Sequence, residues 1–273
     1  VRLGVQPGSW FHLTECFGPV LGLMRAPDLD TAIAWQNQVD YGLTGGISSL
    51  DPTEIATWLS RVEVGNAYVN RHITGAVVQR QPFGGWKRSS IGPGAKPGGP
   101  GHLHAYGTWT TPTSATTTSG IDVGGLQDRF ARAWQDTFAV DHDPSALASE
   151  ANVLRYRPLD RVLVRAEQAD AAALLVVRTA AEVAGVALDV SLTGTESDDA
   201  LADRLADVGS AGAARLRLLV DATDDVHRAA FAAGVAVDLA PVTGAAELEL
   251  RHWVLEQAVS QTMHRYGRLL RRP

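Results

Sequence analysis

From Arg161 onward, short apolar runs of the kind that form buried strands alternate with longer amphipathic runs of the kind that form helices. Strand-like Arg161–Arg165, Val186–Leu192, Arg215–Val220 and Val235–Leu239 are separated by helix-like Ala169–Val183, Asp198–Asp207 and Asp224–Ala233. Parallel neighbours need a crossover connection, normally a helix. This alternation therefore confines the segment to a mostly parallel sheet with helices on its faces. Leu126, Phe130, Trp134 and Phe138 recur every four residues and predict an amphipathic helix over Leu126–Phe138 ahead of the sheet. Glu247–Tyr266 reads as a long closing helix. No Gly-x-Gly-x-x-Gly follows any of the strands, so the segment lacks a phosphate-cradling loop, and its nucleotide-binding shape is expected to serve structure.

The opening third has its own alternation. Val20–Ala26 suits a short buried strand, and Asp28–Val39 a helix with an acidic start. Tyr41–Leu50 is glycine-rich and β-like. Asp51-Pro52-Thr53-Glu54 is a helix start, with an N-cap acid, proline at the first position and glutamate three residues past the cap. Ile55, Trp58, Leu59 and Val62 follow at helical spacing, Gly65 is expected to end the helix, and Ala67–Asn70 is a short strand.

Between the two parts regular structure gives out. Residues 84–101 contain seven glycines and three prolines, and 107–120 are mostly Thr, Ser, Pro and Gly. The expected organisation is therefore a first domain over 1–107, a linker over 108–122 and a smaller α/β domain over 123–273. A net charge of -6 with the two signs mixed gives no basic stripe for nucleic acid. No apolar run reaches the roughly 18–20 residues that span a bilayer. One cysteine, Cys16, leaves no internal disulfide and fits a reducing, cytoplasmic setting. The chain opens at Val1 with no signal peptide and no initiator Met, which reads as a piece of something longer.

Three stretches can carry chemistry. In Thr14-Glu15-Cys16-Phe17-Gly18-Pro19-Val20 one turn can aim a carboxylate at sugar hydroxyls and a ring at a flat heterocycle. On these residues alone, a solvated acid and a core ring before a strand is the favoured reading. Gly65-Asn66-Ala67-Tyr68-Val69-Asn70-Arg71 leads into Thr74-Gly75-Ala76, where glycine and alanine leave backbone N–H groups open to an anion such as a substrate carboxylate. Arg80-Gln81-Pro82-Phe83-Gly84-Gly85-Trp86-Lys87 sets an aromatic beside flexible backbone, suited to walling a narrow pocket or simply to crossing the surface.

Together, in this order and spacing, the Glu-x-Phe-Gly-Pro turn, Gly-Asn-x-Tyr-Val-Asn and Pro-Phe-Gly-Gly-x-Lys resemble the aldehyde dehydrogenase superfamily. Pro7–Glu15, Tyr41–Gly46, Thr74-Gly75-Ala76, Arg80–Phe83 and Gly94-Ala95-Lys96-Pro97-Gly98-Gly99-Pro100 are similar to one branch, the pyrroline-5-carboxylate (glutamate-semialdehyde) dehydrogenases. These occur alone or as the second half of bifunctional proline-utilisation A proteins. The likeness covers roughly residues 1–107. Leu154–Pro158 and Glu256–Gly267 resemble the C-terminal extension of the longer members.

The resemblance implies the C-terminal part of an aldehyde dehydrogenase catalytic domain followed by a Rossmann-like accessory domain. The accessory domain would cover the active site or assist assembly, and the full-length parent would be a homo-oligomer. The implied function is NAD-dependent oxidation of L-glutamate γ-semialdehyde to L-glutamate in proline catabolism. FAD is implied only if a proline dehydrogenase domain precedes. In those terms Glu15 binds the nicotinamide ribose, Phe17 packs beside the nicotinamide, Gly75 and Ala76 offer backbone donors to the substrate carboxylate, and Phe83 lines the aldehyde's aliphatic stem. The family's chemistry runs through a cysteine thiolate, a thiohemiacetal and a thioester. Its nucleophile and oxyanion asparagine lie upstream of the Glu-x-Phe-Gly-Pro turn. Cys16 sits inside that turn and is read as a packing residue, no catalytic residue is assigned within the chain, and the isolated chain is expected to be inactive.

A non-catalytic interaction module derived from the same fold, or a dehydrogenase for another aldehyde, would also carry these motifs. His102-Leu103-His104 is poor zinc spacing and reads as surface histidine, so no metal site is assigned. Asp141-His142-Asp143-Pro144 lacks a calcium-loop pattern and reads as helix capping. Arg155, Arg157, Arg161 and Arg165 read as a solvated strand face.

Overall fold

A computed structural model of the chain describes residues 1–76, 80–90, 94–109, 124–167, 171–210, 213–265 and 268–269. In chain order the elements begin with β1 (Arg2–Leu3), α1 (Trp10–Leu13), β2 (Gly22–Leu23), α2 (Leu29–Asn37), β3 (Tyr41–Gly42), β4 (Thr44–Ile47), α3 (Pro52–Arg61), β5 (Asn66–Val69) and β6 (Trp86–Lys87). They continue with α4 (Leu126–Ala133), β7 (Glu150–Pro158), β8 (Arg161–Ala166), α5 (Ala171–Ala184), β9 (Ala187–Leu192), α6 (Asp198–Ser210), β10 (Ala214–Leu218), α7 (Asp224–Ala232), β11 (Ala236–Asp238), α8 (Ala246–Glu249) and β12 (Val254–Thr262). Short 3-10 helices cover His102–Tyr106 and Leu250–Trp253, and a π-turn at Trp134–Phe138 extends α4.

Two compact units form, and neither is a continuous stretch. The first gathers Val1–Ser90, Asp143–Val153 and Gln257–Pro273; the second gathers Ile91–His142 and Leu154–Glu256. This departs from the expected division of 1–107 against 123–273, because β7 and β12 each pass from one unit into the other. Of the expected linker at 108–122, only Thr108 and Trp109 lie within the described residues.

In the first unit the sheet runs β4-β5-β12-β7, with β5 parallel to both β4 and β12. Its core joins Ile33 of α2 and Trp58 of α3 to Val62, Val64, Ala67, Val69 and Val259. Both helices begin as the sequence predicts: Asp28 accepts from Thr31 N–H at 2.7 Å and Asp51 from Thr53 N–H at 2.7 Å. Helix α3 stops at Val62, three residues before Gly65, because Val62–Val64 turn inward as core. Strand β2 pairs in parallel with β1, and Leu3, Leu21 and Leu23 stay exposed, so the buried strand expected at Val20–Ala26 is a short exposed one.

In the second unit the all-parallel order β11-β10-β8-β9 bears out the alternation read from the sequence. Leu163 and Leu216 face α6 and α7, where Leu201, Leu205, Val226 and Ala230 complete one core layer. Val162 and Val164 face the other way, against α4, α5, Leu250 and Trp253. Strand order reverses between β8 and β10, the place where open α/β sheets of this kind bind ligands beyond the carboxyl ends of the strands. Here Arg165, 2% exposed, fills that end. It donates to Ser191 Oγ at 2.7 Å, to the Glu196 carbonyl at 2.9 Å and to Asp198 at 2.6 Å. Asp198 is held below the usual carboxylate range, chiefly by the Thr223 N–H and also by Arg165.

Several expectations fail here for identifiable reasons. Glu247–Tyr266 is no long helix. It breaks after α8 into a 3-10 turn and then into β12, whose nearly continuous burial as an interior strand hides the period-two pattern. The arginines are not a solvated face: Arg165 is buried, and burial lowers the pKa of both Arg155 and Arg157. Asp143 caps a turn rather than a helix, accepting from Ala146 N–H at 3.2 Å, Ser145 Oγ at 2.6 Å and Asn152 N–H at 3.2 Å. Among the described residues, no helix is long and apolar enough to cross a membrane.

Candidate active site

The Thr14–Gly18 turn projects from the end of α1. Ser9 caps that helix, accepting from His12 N–H at 3.3 Å. His12 then fastens the segment. Its Nδ1 lies 3.0 Å from Gly8 N, which can only donate, so Nε2 carries the proton and donates to the Trp35 carbonyl of α2 at 3.0 Å. Gly18, at φ 146°, makes the bend before Pro19. The turn lines an open depression of about 620 Å³ together with Val5, Phe11 and Met24. Glu15 is exposed in it, Phe17 is 93% exposed, and Cys16 is half-buried with Sγ 4.0 Å from the Thr14 carbonyl. A carboxylate and an uncovered ring thus stand two residues apart on one wall, a pair that fits a ribose and a flat heterocycle.

The second group is built on β5. Asn66, fully buried, donates from Nδ2 to the Leu43 carbonyl at 2.7 Å and to the Gly84 carbonyl at 3.0 Å, fixing the Phe83-Gly84-Gly85 turn with Phe83 half-buried. Two residues on, Tyr68 donates its hydroxyl to the Gly75 carbonyl at 2.7 Å and accepts from Gln81 Nε2 at 3.0 Å. Burial raises the Tyr68 phenol, opposed by the Gln81 hydrogen bond and the Arg71 charge. Arg71 lies over the Tyr68 ring at 5.8 Å and donates to Ser260 Oγ at 2.6 Å. Gly75 adopts φ +68°, and an added Cβ would meet nothing within 4 Å, so its requirement for glycine is conformational. Among the described residues, no acceptor takes the N–H of Gly75 or Ala76.

The structure therefore gathers Glu15 and Phe17 in one place, ties Gly75 to Tyr68 and ties the turn after Phe83 to Asn66 two residues earlier on β5, all within the first unit. The depression's lining does not include the second group. Sequence reasoning missed Tyr68, Gln81 and Asn66 as supports. The available signal was a phenol and an amide within an otherwise apolar buried run directly before the Gly75 loop.

Asn66, Tyr68 and the flanking turns lie in a segment of recognisable type: residues 1–111 match the aldehyde dehydrogenase family model. Within that family the chain is similar to the 1-pyrroline-5-carboxylate dehydrogenase of Geobacillus sp. (strain WCH70), 40% identical over 99 residues, 36% of this chain and 19% of that protein. The Staphylococcus epidermidis protein of the same name is 41% identical over 100 residues, 37% of this chain and 19% of that one. The chain thus spans about a fifth of the length of these relatives. Over 97% of its length it is also similar to the solved structure of proline utilization A from Corynebacterium freiburgense, with a TM-score of 0.77, 40% identity and 27% of that chain covered. This likeness takes in the α/β unit as well as residues 1–111. Among the described residues, no group of three or more His, Cys, Asp or Glu is placed to hold a metal ion.

Proposed function

We propose that residues 1–107 supply part of the active site of an NAD-dependent dehydrogenase that oxidises L-glutamate γ-semialdehyde to L-glutamate in proline catabolism. The observation that carries this reading is the open N–H pair of Gly75 and Ala76, held on a buried tyrosine in a segment 40% identical to 1-pyrroline-5-carboxylate dehydrogenases. Two adjacent backbone donors suit a carboxylate, which separates this substrate from simple aliphatic aldehydes. Phe83 lines the methylene stem between the carboxylate and the aldehyde. Glu15 accepts hydrogen bonds from the nicotinamide ribose, and Phe17, whose face nothing covers, packs against the nicotinamide. NAD, when bound, accepts the hydride that the aldehyde carbon loses, while water supplies the second carboxylate oxygen.

On this reading the nucleophile and oxyanion donor lie outside residues 1–273, and Cys16 packs the turn. The α/β part assists assembly of a cytoplasmic homo-oligomer, and FAD belongs to the protein only if a proline dehydrogenase domain accompanies it. The test is steady-state kinetics of the complete gene product with NAD, comparing L-glutamate γ-semialdehyde with propanal. A kcat/KM at least about a hundredfold higher for the acidic aldehyde supports the reading, two charge-assisted hydrogen bonds being worth about 3 kcal/mol or more. Equal values point to another aldehyde, and no turnover of either points to an interaction module.

A further inference from the structure

We infer that Tyr68 is a positioning residue for the carboxylate-binding loop: its hydroxyl bridges Gly75 and Gln81, and so sets the direction of the Ala76 N–H group. The inference rests on the proposed substrate reading and adds the residue that makes that loop specific. Three observations carry it. Tyr68 is 1% exposed on β5, an interior strand between β4 and β12, so the hydroxyl is a fixed point rather than a mobile surface group. That one hydroxyl meets both limbs of the loop, donating at 2.7 Å to the Gly75 carbonyl and accepting at 3.0 Å from Gln81 Nε2. The peptide plane that contains the Gly75 carbonyl also contains the Ala76 N–H, which points the opposite way. Holding the carbonyl toward Tyr68 therefore turns the Ala76 donor away from the strand.

Arg71 supports this from the side. Over the phenol ring and anchored to Ser260 Oγ, it helps hold the ring's orientation. A glycine at φ +68° has many other conformations open to it, so without the tie the anchor samples directions that bind no carboxylate.

The test compares Tyr68→Phe and Gln81→Leu in the complete gene product. Tyr68→Phe removes both bonds while keeping the ring, and Gln81→Leu removes one while keeping the hydroxyl's donation to Gly75. Expected are an increase of about fivefold to tenfold in KM for L-glutamate γ-semialdehyde with Tyr68→Phe and about twofold to threefold with Gln81→Leu. The constants for propanal, the KM for NAD and kcat stay within about twofold. In parallel, hydrogen exchange of the peptide spanning residues 71–81 is expected to accelerate in Tyr68→Phe, a readout independent of turnover. Unchanged KM and unchanged exchange overturn the inference, as does an equal rise in KM for propanal. If the unsubstituted protein shows no preference for the acidic aldehyde while exchange still accelerates, the substrate reading fails and the tie stands.

Discussion

Glu249 offers the sharpest test of how the second unit is held together. It and Arg217 are both 0% exposed and form an ion pair on the face of the sheet opposite α6 and α7. Glu249 also accepts from Trp253 Nε1 at 3.1 Å and from Thr243 N–H at 3.1 Å. Burial alone would push its carboxyl up. The Arg217 charge and hydrogen bond, His252 and the Thr243 N–H outweigh burial and hold it below the ordinary range. Glu249→Ala leaves Arg217 buried with only the Ala240 carbonyl at 3.3 Å and Asp238 at 3.9 Å, and strands two neutral donors. Breaking one side of a buried pair costs about 3–5 kcal/mol. Because the stranded groups share one site, their penalties do not simply add, and we expect a loss of about 4 kcal/mol. That is a large part of the roughly 5–15 kcal/mol that holds a domain together. Urea unfolding followed by circular dichroism should show the second unit's midpoint falling at constant slope. The double variant Arg217→Met with Glu249→Leu removes both charges and should recover to within about 2 kcal/mol of the parent, with Asp238 still paired to His252 at 2.6 Å. A loss under about 1 kcal/mol for Glu249→Ala, or a double variant less stable than the single, refutes the reasoning.

Two further outcomes follow from the same kind of argument. Lys96 is buried, and burial pushes its ammonium down to about 7 against the opposing pull of Glu256, with Arg251 and His102 also facing that carboxylate. The unfolded chain then holds more protons than the folded one between pH 7 and its ordinary value of 10.5, so stability rises with pH across that window. Lys96→Met should remove the rise, and a parent-minus-variant difference in midpoint that stays flat from pH 6 to 10 contradicts it. Gly75→Val forces a branched side chain into left-handed backbone at a cost of about 1–2 kcal/mol. It should raise KM for the semialdehyde about fivefold or more in the complete gene product, and an unchanged KM removes the anchor.

What could be read in advance was what local chemistry dictates. Asp28, Asp51 and Pro52 announce helices that form where expected, and the alternation after Arg161 yields the four parallel strands. What failed depends on partners distant in sequence. Val254–Thr262 is a strand only because it lies beside Asn66–Val69, nearly two hundred residues earlier, and with both faces covered it shows no alternation to separate it from a helix. Arg165 looks solvated until Asp198 is seen to meet it. At the site, Glu15, Phe17, Gly75 and Phe83 were nominated by likeness to a family. Tyr68 and Asn66 were not, since their roles lie in hydrogen bonds to backbone that no spacing rule displays.

The placement of β12 has a consequence for how the molecule is made. On a ribosome, β4 and β5 emerge nearly two hundred residues before the strand that β5 needs on its other side. Closing so long a loop costs more entropy than closing a hairpin, and contacts of this separation form slowly. Until then β5 presents an unpaired, largely apolar edge to the cell, an invitation to aggregation or to chaperones. A stop codon shortly before residue 257 would remove strand material from within the first unit's sheet rather than from its margin, so that truncation should harm the unit built on residues 1–90 most.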